Sequence, residues 1–327
     1  MADNRRTAVK KLKKLVIGPK EEVEPYRARF EETLSEVFLP NHVERDEYSY
    51  GGIMSDILIP ELSSVGKVML YIHGGSFTAG SRISYRTFCA SLANSCACRL
   101  VLPEFRLTPK HPFPAAIDDI LTVYRTLHGE LEASRAYGAD GSIVLAADGS
   151  GASIVLAFLQ KLDEQERTDI SQLILFSPWL DFSAECEIIA NRRLHDEIIS
   201  GDRLHRAVDI YTYASNFTNP LVSPLCAPPE ALKGFPPIYI QMGGKEILTR
   251  QAVELKNLAQ EAGVPCTLDI WPDMMFMFQM ADEYLNESHL ALDKIGSFIK
   301  GKADSGQEDE EEKAERARIL QKNNIGQ

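Results

Sequence analysis

The chain has 327 residues, of which 44% are hydrophobic and 25% are charged, a composition typical of a folded globular protein with a large core. A formal net charge of −12 argues against a general affinity for nucleic acid, because phosphate binding depends on an excess of Lys and Arg. The six cysteines are scattered without CxxC spacing, so we expect free thiols, no metal site and no cofactor.

The N-terminus is basic, but no apolar stretch follows it as in a signal peptide. No segment approaches the ~18 apolar residues that a membrane-spanning helix needs. We therefore expect a cytoplasmic protein without a transmembrane segment.

Along the chain, residues 1–45 show hydrophobic positions at helical spacing and are interpreted as an N-terminal helical cap arm. From Tyr48 the pattern changes to strands and helices, which we expect at the following positions: strands within 55–61, 67–75, 98–107, 142–148, 173–180, 236–244 and 266–273, and helices from Ala115, after 148, at 250–262 and at 284–299.

This alternation of apolar strands with helices predicts a mainly parallel central sheet covered on both faces. We assign it to one domain, residues 46–300. A polar helical segment at about 184–218 interrupts the alternation and is interpreted as the second part of the cap. Residues 301–327 are rich in charge and poor in apolar residues, and they are expected to form a disordered tail.

A glycine pair follows one predicted strand in the order His73-Gly74-Gly75. Glycines let backbone N–H groups approach a ligand closely, and such donors stabilise the oxyanion of acyl transfer. The segments 103–119 (PEFRLTPKHPFPAAIDD), 177–181 (SPWLD) and 219–224 (NPLVSP) follow in the chain. In this order the motifs resemble those of the hormone-sensitive-lipase branch of the α/β-hydrolase fold. The resemblance implies a parallel sheet flanked by helices, a helical cap and carboxylesterase ancestry.

The sequence departs from this family where the catalytic residues belong. The nucleophile elbow of the family, a sharp strand-to-helix turn with serine at its tip, matches residues 147–152 and places Gly149 at the serine position. The loop after the last strand places Phe276 at the position of the catalytic histidine. The resemblance keeps a carboxylate at the third position, Glu246, which we expect to be solvated or paired with Lys245 or Arg250 because it has no imidazole to orient.

The oxyanion donors implied by the resemblance are the N–H groups of Gly74, Gly75 and Ser150. An alternative role for Ser150 is that of a displaced nucleophile. A residue one step into the helix points away from the tip of the elbow, so a structural role for Ser150 is favoured.

The loop at 274–280 is apolar except for Gln279, which favours apolar ligands if the loop faces a cavity. The further pocket candidates are His73, Asp148, Met275 and Phe278. The leading hypothesis is a pseudo-hydrolase that binds an apolar small molecule or a protein partner in the former active site. The alternatives are a residual carboxylic-ester hydrolase and a lyase or isomerase that reuses the oxyanion donors. A homodimer is among the assemblies that the sequence allows.

Overall fold

A computed structural model of the chain describes residues 2–36, 39–63, 66–135 and 141–301. The described part contains eight strands: β1 (Val43–Tyr50), β2 (Ile53–Pro60), β3 (Lys67–Ile72), β4 (Arg99–Pro103), β5 (Ser142–Asp148), β6 (Ile170–Phe176), β7 (Ile238–Gly243) and β8 (Cys266–Trp271). Its α-helices are α1 (Ala2–Lys13), α2 (Val23–Thr33), α3 (Arg86–Cys96), α4 (Ala115–Arg135), α5 (Gly149–Lys161), α6 (Glu164–Arg167), α7 (Glu187–Ala190), α8 (Gly201–Tyr211), α9 (Thr249–Glu261) and α10 (Asn286–Ile299).

The strands form one sheet in the order β1-β2-β4-β3-β5-β6-β7-β8. The first two pairings, β1 with β2 and β2 with β4, are antiparallel, and the remaining five are parallel. β5 is buried almost throughout and is followed by the equally buried α5, as expected for a central strand covered on both faces. The predicted α/β-hydrolase fold, with a mainly parallel sheet flanked by helices, is confirmed.

Two of the elements that the sequence pattern did not reveal are β1 and α3. β1 begins at Val43, inside the segment assigned to the helical arm, and only its two end residues are buried. Its sequence, VERDEYSY, has no apolar alternation because it is an edge strand paired on one side only. The other is α3, which packs against α10.

Helices from the two predicted cap segments meet near the carboxyl ends of the central strands. α1 and α2 come from the N-terminal arm, and α7 and α8 lie within residues 184–218. Arg203 of α8 donates a hydrogen bond to the carbonyl of Val16 after α1, at 3.0 Å. Tyr211 of α8 stacks on Phe77 in the loop after β3, with ring centroids 3.9 Å apart. These contacts position α1 and α8 beside the site described below. Apart from Gly301, the predicted tail at 301–327 lies outside the described residues.

Candidate active site

The motifs found in the sequence converge at one edge of the sheet. The glycine pair follows β3, the elbow joins β5 to α5, and the segment with Glu246 follows β7. Phe276 lies in the loop after β8. Parallel strands end at the same edge of a sheet, which is why segments far apart in sequence come together there.

The elbow keeps a sharp strand-to-helix turn but has a glycine at its tip. β5 ends at Asp148 in an extended conformation, and α5 begins at Gly149 with φ +47°. This left-handed conformation is unfavourable for residues with a side chain. A Cβ atom placed on Gly149 would lie 3.5 Å from Cζ of Phe276 and 3.9 Å from Nε1 of Trp179. Gly149, the residue predicted for the nucleophile position, therefore faces Phe276 and has no side chain.

Asp148 connects the elbow to the loop after β3. Its Oδ1 accepts hydrogen bonds from the Tyr71 hydroxyl and the Gly74 N–H, both at 2.8 Å, and its Oδ2 accepts one from the Tyr85 hydroxyl at 3.0 Å. Burial raises the pKa of Asp148 to about 6, and these hydrogen bonds oppose the increase. The carboxylate lines the cavity at the elbow, but its hydrogen bonds indicate a structural role. The expectation that Gly74 donates to a ligand is corrected, because its N–H already donates to Asp148.

Gly75 and Ser150 both line the same small cavity. Gly75 has φ +93°, and a Cβ atom there would lie 2.1 Å from the carbonyl oxygen of Ala79, so only glycine fits this turn. The Ser150 hydroxyl is buried and accepts a hydrogen bond from the Phe77 N–H at 3.1 Å. This contact supports a structural role for the hydroxyl. The Ser150 N–H lies in the first turn of α5, where N–H groups have no intrahelical acceptor.

The loop after β8 fills the remaining space with apolar side chains. Met275, Phe276, Met277, Phe278 and Met280 are all buried, and Phe276 is 6% exposed. The space open to the centre of a water molecule in the cavity is about 10 Å³, which is room for about one water. The loop therefore packs like part of the core rather than lining an open pocket.

Three of the predicted pocket residues lie outside the lining of this cavity: His73, Met275 and Phe278. The His73 ring stacks between Tyr85 and Phe105, and its Nδ1 lies 2.9 Å from the Gly74 carbonyl. Burial lowers the pKa of His73 to about 4, so the ring is neutral at physiological pH. These three residues were predicted to face a ligand, and in this structure they are buried without lining the cavity.

Glu246 is buried rather than solvated, which corrects the sequence-based expectation. Its Oε1 accepts hydrogen bonds from the Ser177 hydroxyl at 2.8 Å and from the Gly243 N–H at 2.5 Å, and its Oε2 has no hydrogen-bond partner among the described residues. Burial raises the pKa of Glu246 to about 8. The two basic residues expected beside it are paired elsewhere, Lys245 with Asp273 and Arg250 with two exposed glutamates.

Ser177 links this carboxyl group to the loop with Phe276. Its hydroxyl oxygen accepts a hydrogen bond from the Met277 N–H at 3.2 Å while the hydroxyl donates to Glu246. The sequence pattern did not indicate this connection. It also did not indicate that Trp179 lines the cavity, nor that three apolar residues do so: Leu12 of α1, and Leu15 and Val16 just after that helix. The SPWLD motif and the helical spacing of the arm were the available signals, but neither indicated which side chains face the elbow.

Among the described residues, no group of three or more His, Cys, Asp or Glu side chains could hold a metal ion. Within the same part of the chain, no helix is both long and apolar enough to cross a membrane.

Together, the mixed sheet, the elbow between β5 and α5 and the glycine loop after β3 define an α/β hydrolase. The α/β-hydrolase fold family model matches residues 69–280. An acetyl-hydrolase of Streptomyces hygroscopicus is 31% identical over 235 residues, which is 72% of this chain and 76% of that protein. An esterase of Acinetobacter venetianus is 31% identical over 237 residues, covering 72% of this chain and 75% of that protein.

A solved structure of an esterase from the bacterial hormone-sensitive lipase family superposes with a TM-score of 0.80 at 28% identity, covering 92% of this chain and 98% of that one. This chain belongs to the α/β-hydrolase fold family, among the carboxylesterase-like proteins related to hormone-sensitive lipase.

Proposed function

We propose that this protein is a pseudo-hydrolase, which does not cleave esters and instead binds a small apolar molecule at the former active site. The observation that carries the proposal is Gly149 at the tip of the elbow, with the Phe276 ring 3.5 Å from the position of a Cβ atom. Ester hydrolysis by this family needs a nucleophile and a base at these two positions. Losing either member of such a pair costs about as much activity as losing both.

The contacts of Ser150 and Asp148 favour this proposal over the alternatives. The Ser150 oxygen is buried against the Phe77 N–H, and both oxygens of Asp148 accept hydrogen bonds from neighbouring groups. A residual hydrolase would need Ser150 or a bound water as its nucleophile, and with Phe276 in the proposed histidine position neither has an imidazole to activate it. A lyase or isomerase would need a carboxyl group that is free to exchange a proton with its substrate. Glu246 has one oxygen without a partner among the described residues, but Glu246 does not line the cavity at the elbow.

A bound ligand requires a larger space than the roughly 10 Å³ in this structure. The groups that limit the cavity are the Phe276 ring and the end of α1. Two salt bridges of α1, Arg5 with Glu197 and Lys11 with Glu283, are partly exposed, and pairs of this kind contribute only about 0–1 kcal/mol each. We propose that the ligand displaces Phe276, α1 or both when it binds.

Hydrolysis is tested with short-chain p-nitrophenyl esters and with a fluorophosphonate probe for activated serines. The proposal expects turnover at the background rate and no labelling of Ser150. A burst of product stoichiometric with the protein, or labelling that is lost in Ser150→Ala, would contradict it. Binding is tested by a thermal-shift screen of apolar esters, lactones and ketones against the wild type and Phe276→Ala. Binding to the folded state raises the melting temperature, and ligand at 100 times its Kd adds about 2.7 kcal/mol.

A further inference from the structure

The indole N–H of Trp179 is a buried donor without a hydrogen-bond partner among the described residues. Trp179 is 2% exposed, and the structure fixes its backbone on both sides. The backbone N–H of Trp179 donates to the Gly149 carbonyl at 3.0 Å, and the backbone carbonyl of Trp179 accepts a hydrogen bond from the Ser153 hydroxyl. Buried polar groups are nearly always paired, so this donor is available to a group that occupies the cavity it faces.

This donor points toward the elbow. Nε1 of Trp179 lies 3.9 Å from the Cβ position of Gly149, the first residue of α5, and the ring lines the same cavity as Gly75 and Ser150. The first N–H groups of a helix attract the negative end of a dipole. Trp179, Gly75 and Ser150 therefore line one small space, and each of the three carries an N–H group.

The charges around this space select the kind of oxygen that it can accept. None of the described residues that line the cavity is Lys, Arg or His, whereas Asp148 is among them. A carboxylate bound there would face a like charge without a cation to balance it. An uncharged carbonyl oxygen accepts the same hydrogen bonds without that repulsion. The rest of the lining is mainly apolar and suits a hydrocarbon body: Leu12, Leu15, Val16, Phe276, Met277 and Met280.

We infer that Trp179 binds the ligand through its indole N–H, and that the ligand is a compact, uncharged carbonyl compound such as a ketone, lactone or ester. The inference rests on the proposed function and specifies its ligand class. The carbonyl oxygen accepts hydrogen bonds from Trp179 Nε1 and from the N–H groups of Gly75 and Ser150, and the hydrocarbon part takes the place of the Phe276 ring.

Three compounds of similar shape test this inference: cyclohexanone, cyclohexanecarboxylate and methylcyclohexane. Their affinities are measured at pH 7.5 for the wild type and for Phe276→Ala, in which the cavity is enlarged. Cyclohexanone should bind at least about tenfold more tightly than the other two to Phe276→Ala. Adding Trp179→Phe should weaken cyclohexanone about tenfold, which corresponds to about 1.4 kcal/mol, and leave methylcyclohexane unchanged within about twofold.

The chain has two tryptophans, so the second provides a matched control. Trp271 donates its indole N–H to Asp269 at 3.0 Å, and Trp271→Phe should leave both affinities unchanged. In a ¹H–¹⁵N spectrum of the protein with both tryptophans present, cyclohexanone should move the Trp179 indole signal downfield and leave the Trp271 indole signal in place. This measurement needs no substitution of Trp179 and is independent of how well Trp179→Phe folds.

The outcomes separate this inference from the proposed function. Cyclohexanone binding that neither moves the Trp179 signal nor weakens in Trp179→Phe overturns the role of the indole. The proposed function, a pseudo-hydrolase that binds a small apolar molecule, then still stands. Tighter binding of cyclohexanecarboxylate overturns the preference for an uncharged oxygen. If none of the three compounds binds to the wild type or to Phe276→Ala, both the proposed function and the inference are wrong.

Discussion

Placing a serine and a histidine at the two positions where the proposed function has lost them is the most direct test of how much of a hydrolytic site is in place. The double substitution Gly149→Ser with Phe276→His returns a nucleophile and a base to the elbow. Serine fits at Gly149, because its Cβ would be in ordinary van der Waals contact with residue 276, but φ +47° adds strain of roughly 1–2 kcal/mol. The new histidine would stand next to Met277, whose N–H donates to the Ser177 hydroxyl, and that hydroxyl donates to Glu246. The Glu246 Oε2 has no partner among the described residues.

The expected gain follows from how such groups cooperate. A complete triad contributes on the order of 10⁶ to kcat, and one missing member removes most of that factor. Oxyanion donors alone contribute about 10²–10³. Each single variant should therefore remain near background, while the double variant should cleave p-nitrophenyl acetate at least ~10³-fold faster than either. Adding Glu246→Gln should return the rate to that of the single variants, because the imidazole then loses its carboxylate.

The rates are read together with circular dichroism and the melting temperature, so that loss of fold is not taken for loss of activity. A double variant that folds, stays at background and does not react with a fluorophosphonate would refute the reasoning. The donors at Gly75 and Ser150, or the position of Glu246, would then be unsuited to hydrolysis.

Three further predictions concern stability. Because burial raises the pKa of Glu246 to about 8, against 4.5 for a solvated side chain, the folded state holds a proton that the unfolded state has released. The melting temperature should therefore fall as pH rises from about 4.5 through 8, and Glu246→Gln should flatten this part of the profile. An unchanged slope in Glu246→Gln would contradict the raised pKa of Glu246. Phe276→Ala removes a buried ring and should lower the free energy of unfolding, measured with denaturant, by about 3–5 kcal/mol. A much smaller decrease would show that the ring is loosely packed. Gly75→Ala should destabilise the protein strongly, because the new Cβ would clash with the Ala79 carbonyl. Gly129→Ala, in the interior of α4 with open space around it, should instead stabilise the protein by about 0.5–1 kcal/mol. Similar effects of the two changes would show that the turn at Gly75 is not constrained.

The sequence alone determined the fold, because a continuously apolar strand followed by a glycine-rich turn and an apolar helix, as in residues 142–161, has few other solutions. It also predicted the register of the elbow, since the residues on either side of Gly149 match the motif. It did not reveal β1, whose charged sequence reflects an edge strand, because edge strands need few buried residues.

Only the tertiary structure decided which side chains face the site. Gly74 lies next to Gly75 in the sequence, yet its N–H is used by Asp148, a residue 74 positions away. Glu246 was expected in water or beside a basic residue because it has no imidazole to orient, but its burial against Ser177 depends on where β6 and β7 end in space. Trp179 is prominent in the sequence as part of a motif, and only the packing of β5, β6 and the loop after β8 shows that its indole N–H lacks a partner. Local sequence patterns determine the helices and strands. The hydrogen bonds and burial of the site residues depend on groups that are distant in sequence, so they are known only from the tertiary structure.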